Sequence, residues 1–312
     1  MKKNFWIILL FALRVSAQNQ PITTQEISID SELNGTLYNA SNDLKKPTLA
    51  ILIAGSGPTN RSGNQPNIHN NSLKYLAEGL ATKGINVFCF DKRVIARIIA
   101  GKTDDFNMLF EDNSTDVNLI VSYFKELNKY SKIVLIGHSE GSLIGMMSAT
   151  KNVDGFVSIA GAGRSIDLIM KDQISKNYPY IIKEFEEKLD LLKKGESFVL
   201  TSENTILATL LNKKNRPYLK SWIDINPQEK IKKLHIPILL INGTKDLQVP
   251  ESEAILLKEV QPNAELIIIN NMNHVLKIID GDEVENKASY NNPKLPIATE
   301  LVTSIYDFIA KM

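Results

Sequence analysis

Apolar positions along this chain fall into two alternating patterns. Thr48–Ala54, Ile85–Phe90, Ile133–Ile136, Gly155–Ala160, Ile236–Ile241 and Ala264–Ile269 are short, nearly unbroken apolar runs, the composition of strands buried on both faces of a parallel sheet. Between them lie stretches with helical periodicity. Ser72–Thr82 presents Leu73, Leu76, Ala77 and Leu80 on one face, and a stretch capped by Asn113-Ser114 presents Val117, Ile120, Val121 and Phe124. Glu251–Val260 continues the alternation, and Pro296–Ala310 closes it with Ile297, Leu301, Ile305, Phe308 and Ile309. Strands alternating with helices in this way imply right-handed crossovers onto a mostly parallel sheet, an α/β fold flanked by helices.

Two regions depart from the alternation. Near the start, Ile27–Ile29 and Leu33–Tyr38 alternate around Asn34-Gly35, which predicts one or two antiparallel strands at a sheet edge, followed by a polar turn over Asn42–Pro47. From Ser165 to Leu234 no buried strand occurs. Lysine- and leucine-rich helical patterns broken at Pro179, Gly195, Pro217 and Pro227 predict a helical cap inserted at about residues 165–234. Its Tyr178-Pro179-Tyr180 and Trp222 read as cap packing or as substrate contacts.

The extreme N-terminus stands outside the fold. Lys2-Lys3, an apolar run from Phe5 to Leu13 and then Val15-Ser16-Ala17 follow the order of a secretory signal peptide, residues 1–17, cleaved after Ala17. Residues 18–312 then form one exported domain, periplasmic or extracellular, with no stable membrane association expected. The run is too short to span a bilayer. Thirty-six Lys and Arg against 35 Asp and Glu give a net charge of +1, which supplies no footprint for nucleic acid or an anionic surface. The single cysteine, Cys89, cannot form an intrachain disulfide, and its apolar setting reads as a buried thiol without a catalytic role.

The candidate chemistry centres on Gly137-His138-Ser139-Glu140-Gly141, which joins a buried strand to a helix. G-x-S-x-G marks a tight turn that holds a nucleophilic serine in a strained conformation, with small residues where larger ones would collide with the helix. A serine hydroxyl needs a base and a group that orients the base. Asp246 and His274 each follow a predicted strand, so the order Ser139, Asp246, His274 is the triad order of this architecture. Asp280 and Asp282 follow the histidine and would reverse it. Of the other histidines, His69 lies in an early loop, His138 occupies the variable position of the motif, and His235 precedes a strand away from the catalytic edge. Gly55-Ser56-Gly57-Pro58 ends the Thr48–Ala54 strand, and the N–H of Ser56, or of Gly57, pairs with that of Glu140 as an oxyanion hole.

On these residues the chain resembles an α/β-hydrolase over roughly residues 25–310. Within that superfamily it is most similar to the exported esterase and serine-aminopeptidase-like branch, which combines a Gly-Ser-Gly-Pro loop with a Gly-His-Ser-x-Gly elbow. The resemblance implies the α/β-hydrolase fold, Ser139 as nucleophile, His274 as general base and then acid, Asp246 as its orienting partner, and the N–H groups of Ser56 and Glu140 as oxyanion hole. One departure follows Asp91-Lys92-Arg93, where the branch continues with small residues and this chain has Val94-Ile95-Ala96-Arg97. The expectation there is a reshaped loop beside the pocket.

The reading is a serine hydrolase of small to medium carboxylic esters that uses water as second substrate, with no metal or organic cofactor. A serine aminopeptidase or amidase is the alternative, with Glu140, Glu184 or Glu186 as the anionic anchor for a substrate amine. A non-catalytic binding protein on the same fold is the third.

Overall fold

The buried apolar runs pair side by side into one eight-stranded sheet. In the computed structural model, which describes residues 22–40, 44–102, 108–149, 151–201 and 203–312, the elements in order are β1 (Thr23–Ser28), β2 (Asn34–Asn39), β3 (Thr48–Ile53), α1 (Ser72–Thr82), β4 (Asn86–Phe90), α2 (Arg93–Ile99), α3 (Phe110–Glu126), β5 (Lys132–His138), α4 (Glu140–Ser148) and β6 (Gly155–Ile159). Then come α5 (Ile166–Asn177), α6 (Ile182–Lys194), α7 (Thr205–Leu210), α8 (Arg216–Ile223), α9 (Pro227–Ile231), β7 (Ile238–Gly243), α10 (Glu251–Val260), β8 (Glu265–Ile269), α11 (Glu283–Ser289) and α12 (Thr299–Lys311). The expected signal peptide, and Asn42 and Asp43 of the expected polar turn, lie outside the described residues.

The strand order is β1-β2-β4-β3-β5-β6-β7-β8. β1 and β2 pair antiparallel at one edge, and every pairing from β4 to β8 is parallel. Alternation along β3 divides the core. Leu49, Ile51 and Ile53 pack on the face with Phe110, Val117, Ile120 and Phe124 of α3. Ala50 and Leu52 pack on the other face with Leu76 and Leu80 of α1 and Leu301 and Ile305 of α12. Four of the helices between β6 and β7, α5 to α8, enclose a smaller core of their own that includes Phe185, Leu207 and Leu211, while Ile231 of α9 packs into the main core.

Three local expectations are corrected. The first two strands turn at residues 29–33, where the Leu33 carbonyl accepts the Ile29 N–H, and Asn34-Gly35 opens β2 instead. α3 does not begin at Asn113-Ser114. It starts at Phe110, where the Asp112 carboxylate accepts the Leu109 N–H at 2.8 Å. Asn113 and Ser114 are buried within the helix because neighbours use their polarity: Asn113 Nδ2 donates to the Phe110 carbonyl and to the Tyr218 hydroxyl, and the Ser114 and Ser148 hydroxyls meet at 3.1 Å. A cap signal and a buried polar contact look alike in one dimension. Val94–Arg97 is helical, the body of α2, rather than a reshaped loop. Arg97 is tied to Glu32, which holds α2 against the β1–β2 connection.

The three charged residues after β4 each clamp a different part of the scaffold. Asp91 accepts the backbone N–H and the Nε–H of Arg61, fixing the polar loop after β3. Lys92 turns inward. Arg93 ion-pairs with Asp30 at 2.6 Å and Asp116 at 2.7 Å, joining the β1–β2 turn to α3.

Candidate active site

Ser139 sits between β5 and α4 with φ 55° and ψ −120°. A non-glycine residue in this region carries about 1–3 kcal/mol of strain and persists only where its surroundings hold it. Here the Ser139 N–H donates to the Ile159 carbonyl at 2.9 Å, and the Ser139 carbonyl accepts the Ser142 N–H at 2.9 Å. The flanking glycines are required by close backbone approach. A Cβ on Gly137 would lie 2.2 Å from the Gly141 carbonyl oxygen, and one on Gly141 would lie 2.2 Å from the Ile53 carbonyl oxygen.

Asp246 and His274, 28 residues apart, meet beyond the ends of β7 and β8. His274 Nδ1 bonds Asp246 Oδ2 at 2.8 Å, with both side chains almost fully buried. The other carboxylate oxygen accepts the N–H groups of Gln248 and Val249, so the aspartate is pinned from both sides. The His274 loop is secured through its neighbour: Asn273 Nδ2 donates to Asn286 Oδ1 and Ser289 Oγ, and Asn286 Nδ2 donates to the Lys245 carbonyl. α11 thereby bolts the histidine loop to the aspartate loop. Asp280 and Asp282 do other work, the first contacting Asn271 and the second capping α11 through the N–H groups of Val284 and Glu285. His274 lines a pocket with Ser139 and Ser56. His69 and His235 are exposed and line neither compartment at Ser139.

His138, expected to be a variable position, is a structural partner of His274. Its Nε2 contacts the His274 carbonyl at 2.8 Å. Burial, and then the neighbouring His274, push its pKa down to about 4, so the ring is neutral at neutral pH. Because a carbonyl can only accept, Nε2 carries the ring proton.

Neither the N–H of Ser56 nor that of Glu140 has an acceptor among the described residues. Ser56 lines both compartments that contain Ser139, whereas Gly57 lines neither, so of the two expected donors Ser56 is the one beside Ser139. Thr59 Oγ1 and Gln65 Nε2 donate to the Ser56 carbonyl and set the loop.

The side chain of Glu140 is not available as an amine anchor. It is buried, its Oε1 accepting from Lys92 Nζ at 3.0 Å and from the Tyr218 hydroxyl at 3.2 Å. Burial, reinforced by the Glu140 charge, raises the Tyr218 pKa well above its ordinary value, which keeps the phenol a donor. Glu184 accepts from Thr201, and Glu186 pairs with Lys171. Each carboxylate named as a possible amine anchor thus has a partner within the chain. The Lys92–Glu140–Tyr218 chain was invisible in the sequence. A lysine two residues past the end of buried β4 was its one signal.

Space around Ser139 is unequal. On the His274 side is a narrow pocket of about 110 Å³ that includes Gln65, Asn70, Gln248 and Tyr290. On the cap side Ser139 and Glu140 open on a compartment of about 230 Å³. This shares Met170, Leu210 and Trp222 with a predominantly apolar chamber of about 460 Å³ that extends to Val94, Met108 and Leu219.

Comparisons with known proteins agree with this architecture. Esterase EstD of Thermotoga maritima is 28% identical over 246 residues, 77% of this chain and 57% of the relative, so the chain spans little more than half the length of that protein. Est1E from Butyrivibrio proteoclasticus superposes with a TM-score of 0.56 at 17% identity, over 92% of this chain and 99% of its own. The Pyrococcus furiosus esterase Pf2001 does so at 0.54 and 17%, over 93% and 92%. These likenesses carry the fold, and the BD-FAE family model matches residues 36–260. With that match spanning most of the sheet and the elbow, the chain belongs to the BD-FAE family and has the α/β-hydrolase fold.

Proposed function

We propose that this protein is a serine hydrolase that cleaves carboxylic esters through an acyl-enzyme. The observation that supports it most is the convergence, in one pocket, of a strained Ser139 and a His274 whose Nδ1 is anchored to buried Asp246. Ser139 Oγ attacks the ester carbonyl as His274 Nε2 takes its proton. Asp246 holds the tautomer with Nδ1–H and stabilises the imidazolium that forms. The N–H groups of Ser56 and Glu140 receive the oxyanion, the second with the favourable dipole end of α4 behind it. His274 then protonates the departing alkoxide, and water repeats the sequence to release the acid. Each step uses groups of this chain and water.

Because His274 must reach the leaving oxygen, the alcohol portion occupies the narrow compartment beside it, and the acyl portion extends into the apolar chamber under the cap. The substrate class is therefore an ester of a small alcohol with a medium apolar acid. The aminopeptidase reading loses the anchors considered for a substrate amine, since Glu140 pairs with Lys92, Glu184 accepts from Thr201 and Glu186 pairs with Lys171. The signal-like residues 1–17 support an exported protein that acts in the periplasm or outside the cell.

The test compares wild type with Ser139→Ala on p-nitrophenyl esters of two to ten carbons and on amino-acid p-nitroanilides, with fluorophosphonate labelling in parallel. Turnover of esters and labelling, both abolished by Ser139→Ala, is the expected result. Ester turnover that survives in Ser139→Ala would reject it.

A further inference from the structure

We infer that Lys92 is a positioning residue that sets both halves of the oxyanion hole at once. Its Nζ donates to the Gly55 carbonyl at 2.6 Å and to Glu140 Oε1 at 3.0 Å. The ammonium and the carboxylate are 6% and 1% exposed. The inference rests on the serine hydrolase reading above.

The connection follows from the covalent geometry of the two donors. Gly55 C=O and Ser56 N–H belong to the same peptide plane and point in opposite directions across a trans bond. A cation gripping the carbonyl on one side therefore aims the N–H to the other side and strengthens it as a donor, since hydrogen bonds to charged groups are short and strong and polarise the groups they join. The second donor is the backbone N–H of Glu140, whose side chain is held by the same ammonium. Gly55 and Lys92 are 37 residues apart and Lys92 and Glu140 are 48 apart, so one side chain ties β3, β4 and α4 at the point where the oxyanion forms.

The charge balance has the same consequence. An uncompensated carboxylate at Glu140 would stand next to a developing negative charge in a water-poor site and oppose it. Lys92 cancels that charge. A buried ion pair is a weak source of net stability, because desolvation of both ions offsets most of their attraction. Gly55 also fits the arrangement, since a Cβ there would lie 3.2 Å from Ser139 Cβ, and the loop passes the nucleophile at contact distance.

The experiment measures kcat and KM for a p-nitrophenyl ester, and the inhibition constant of an alkyl trifluoromethyl ketone, in wild type, Lys92→Met, Lys92→Arg and the double variant Lys92→Met/Glu140→Gln. The ketone forms a tetrahedral adduct whose oxyanion reports on the hole. Removing a whole oxyanion donor costs about 10²- to 10³-fold. Misaiming both donors is expected to lower kcat about 10- to 100-fold, with KM within about twofold and ketone affinity falling in parallel with kcat. Lys92→Arg, which keeps the cation, is expected to recover most of the loss. The double variant removes both buried charges together, so it stays testable if Lys92→Met fails to fold, and it is expected to show the same kcat loss. Wild-type kcat and ketone affinity in either folded variant, or a change confined to KM, would overturn the inference. Ser139→Ala run alongside separates the cases: if it retains turnover the serine hydrolase reading itself fails, and if it is dead while the Lys92 variants are normal only the role of Lys92 falls.

Discussion

His138 and His274 lie against one another with ring centroids 4.9 Å apart and planes tilted by 49°, and the Nε2–H of the first donates to the backbone carbonyl of the second. The residue preceding Ser139 thus holds the backbone of His274. This contact couples the elbow to the loop after β8, two segments that the proposed proton transfer requires to keep register.

The His138 contact is expected to give the protein an acid-sensitive limb. In the unfolded chain the ring titrates near 6.5, and in the fold near 4. Between those values the unfolded state binds a proton that the folded state does not, so stability present above pH 6.5 is lost as pH falls toward 4. The loss amounts to about 3 kcal/mol at most. Urea unfolding from pH 7 to 4 checks it, and His138→Gln, which keeps a donor and removes the titration, is expected to flatten that limb. His138→Ala is expected to lower kcat by about tenfold or more, because small displacements of the proposed general base His274 are costly.

Asp246→Asn is expected to leave the fold intact and to reduce kcat by about 10³- to 10⁴-fold. The amide oxygen can still accept from Gln248 and Val249, while its NH₂ faces His274 Nδ1. That forces the proton onto Nε2, the tautomer unable to accept from Ser139. Unchanged thermal melting beside lost turnover is the signature.

Gly141→Ala is expected to destabilise by about 3 kcal/mol or more, beyond ordinary overpacking, because the new methyl meets the backbone oxygen of Ile53 rather than a movable side chain. Gly195→Ala is the control. Its φ of 74° strains an alanine, yet nothing lies within 4 Å, so a cost of about 1–2 kcal/mol is expected. Thermal melts of the two variants are expected to separate clearly.

Ester selectivity is expected to be asymmetric. Along a series of ethyl esters, kcat/KM should rise about fourfold per acyl methylene, at about 0.8 kcal/mol for each buried CH₂, until the chamber under the cap is filled. Along a series of acetates, enlarging the alcohol should bring no comparable gain. A steeper gain with alcohol length than with acyl length would reverse the assignment of the two compartments.

The strands, the crossover helices and the order Ser139, Asp246, His274 were legible in one dimension because each rests on a local rule. Unbroken apolar runs mark strands buried on both faces, a 3.6-residue period marks amphipathic helices, and steric crowding at the elbow demands Gly137 and Gly141. What escaped depended on partners far along the chain. Asn113 and Ser114 carry the signature of a helix cap, and Tyr218 and Ser148 claim them for the interior instead. Val94–Arg97 looked like a loop by comparison with small-residue relatives, but Arg97 pairing with Glu32 accompanies a helix there.

Glu140 shows the division most clearly. Its place at the first turn of α4 and the availability of its N–H followed from the motif, since helix geometry leaves the first amides free. Whether its carboxylate would face a substrate amine or a counterion was decided by Lys92, 48 residues earlier, and Tyr218, 78 residues later. Local sterics and periodicity act over a few residues and are written in the chain order. The pairing of buried charges is written only where β3, β4, α4 and α8 converge, because burial makes an unpaired charge too costly and selects its partner from whatever the fold brings near.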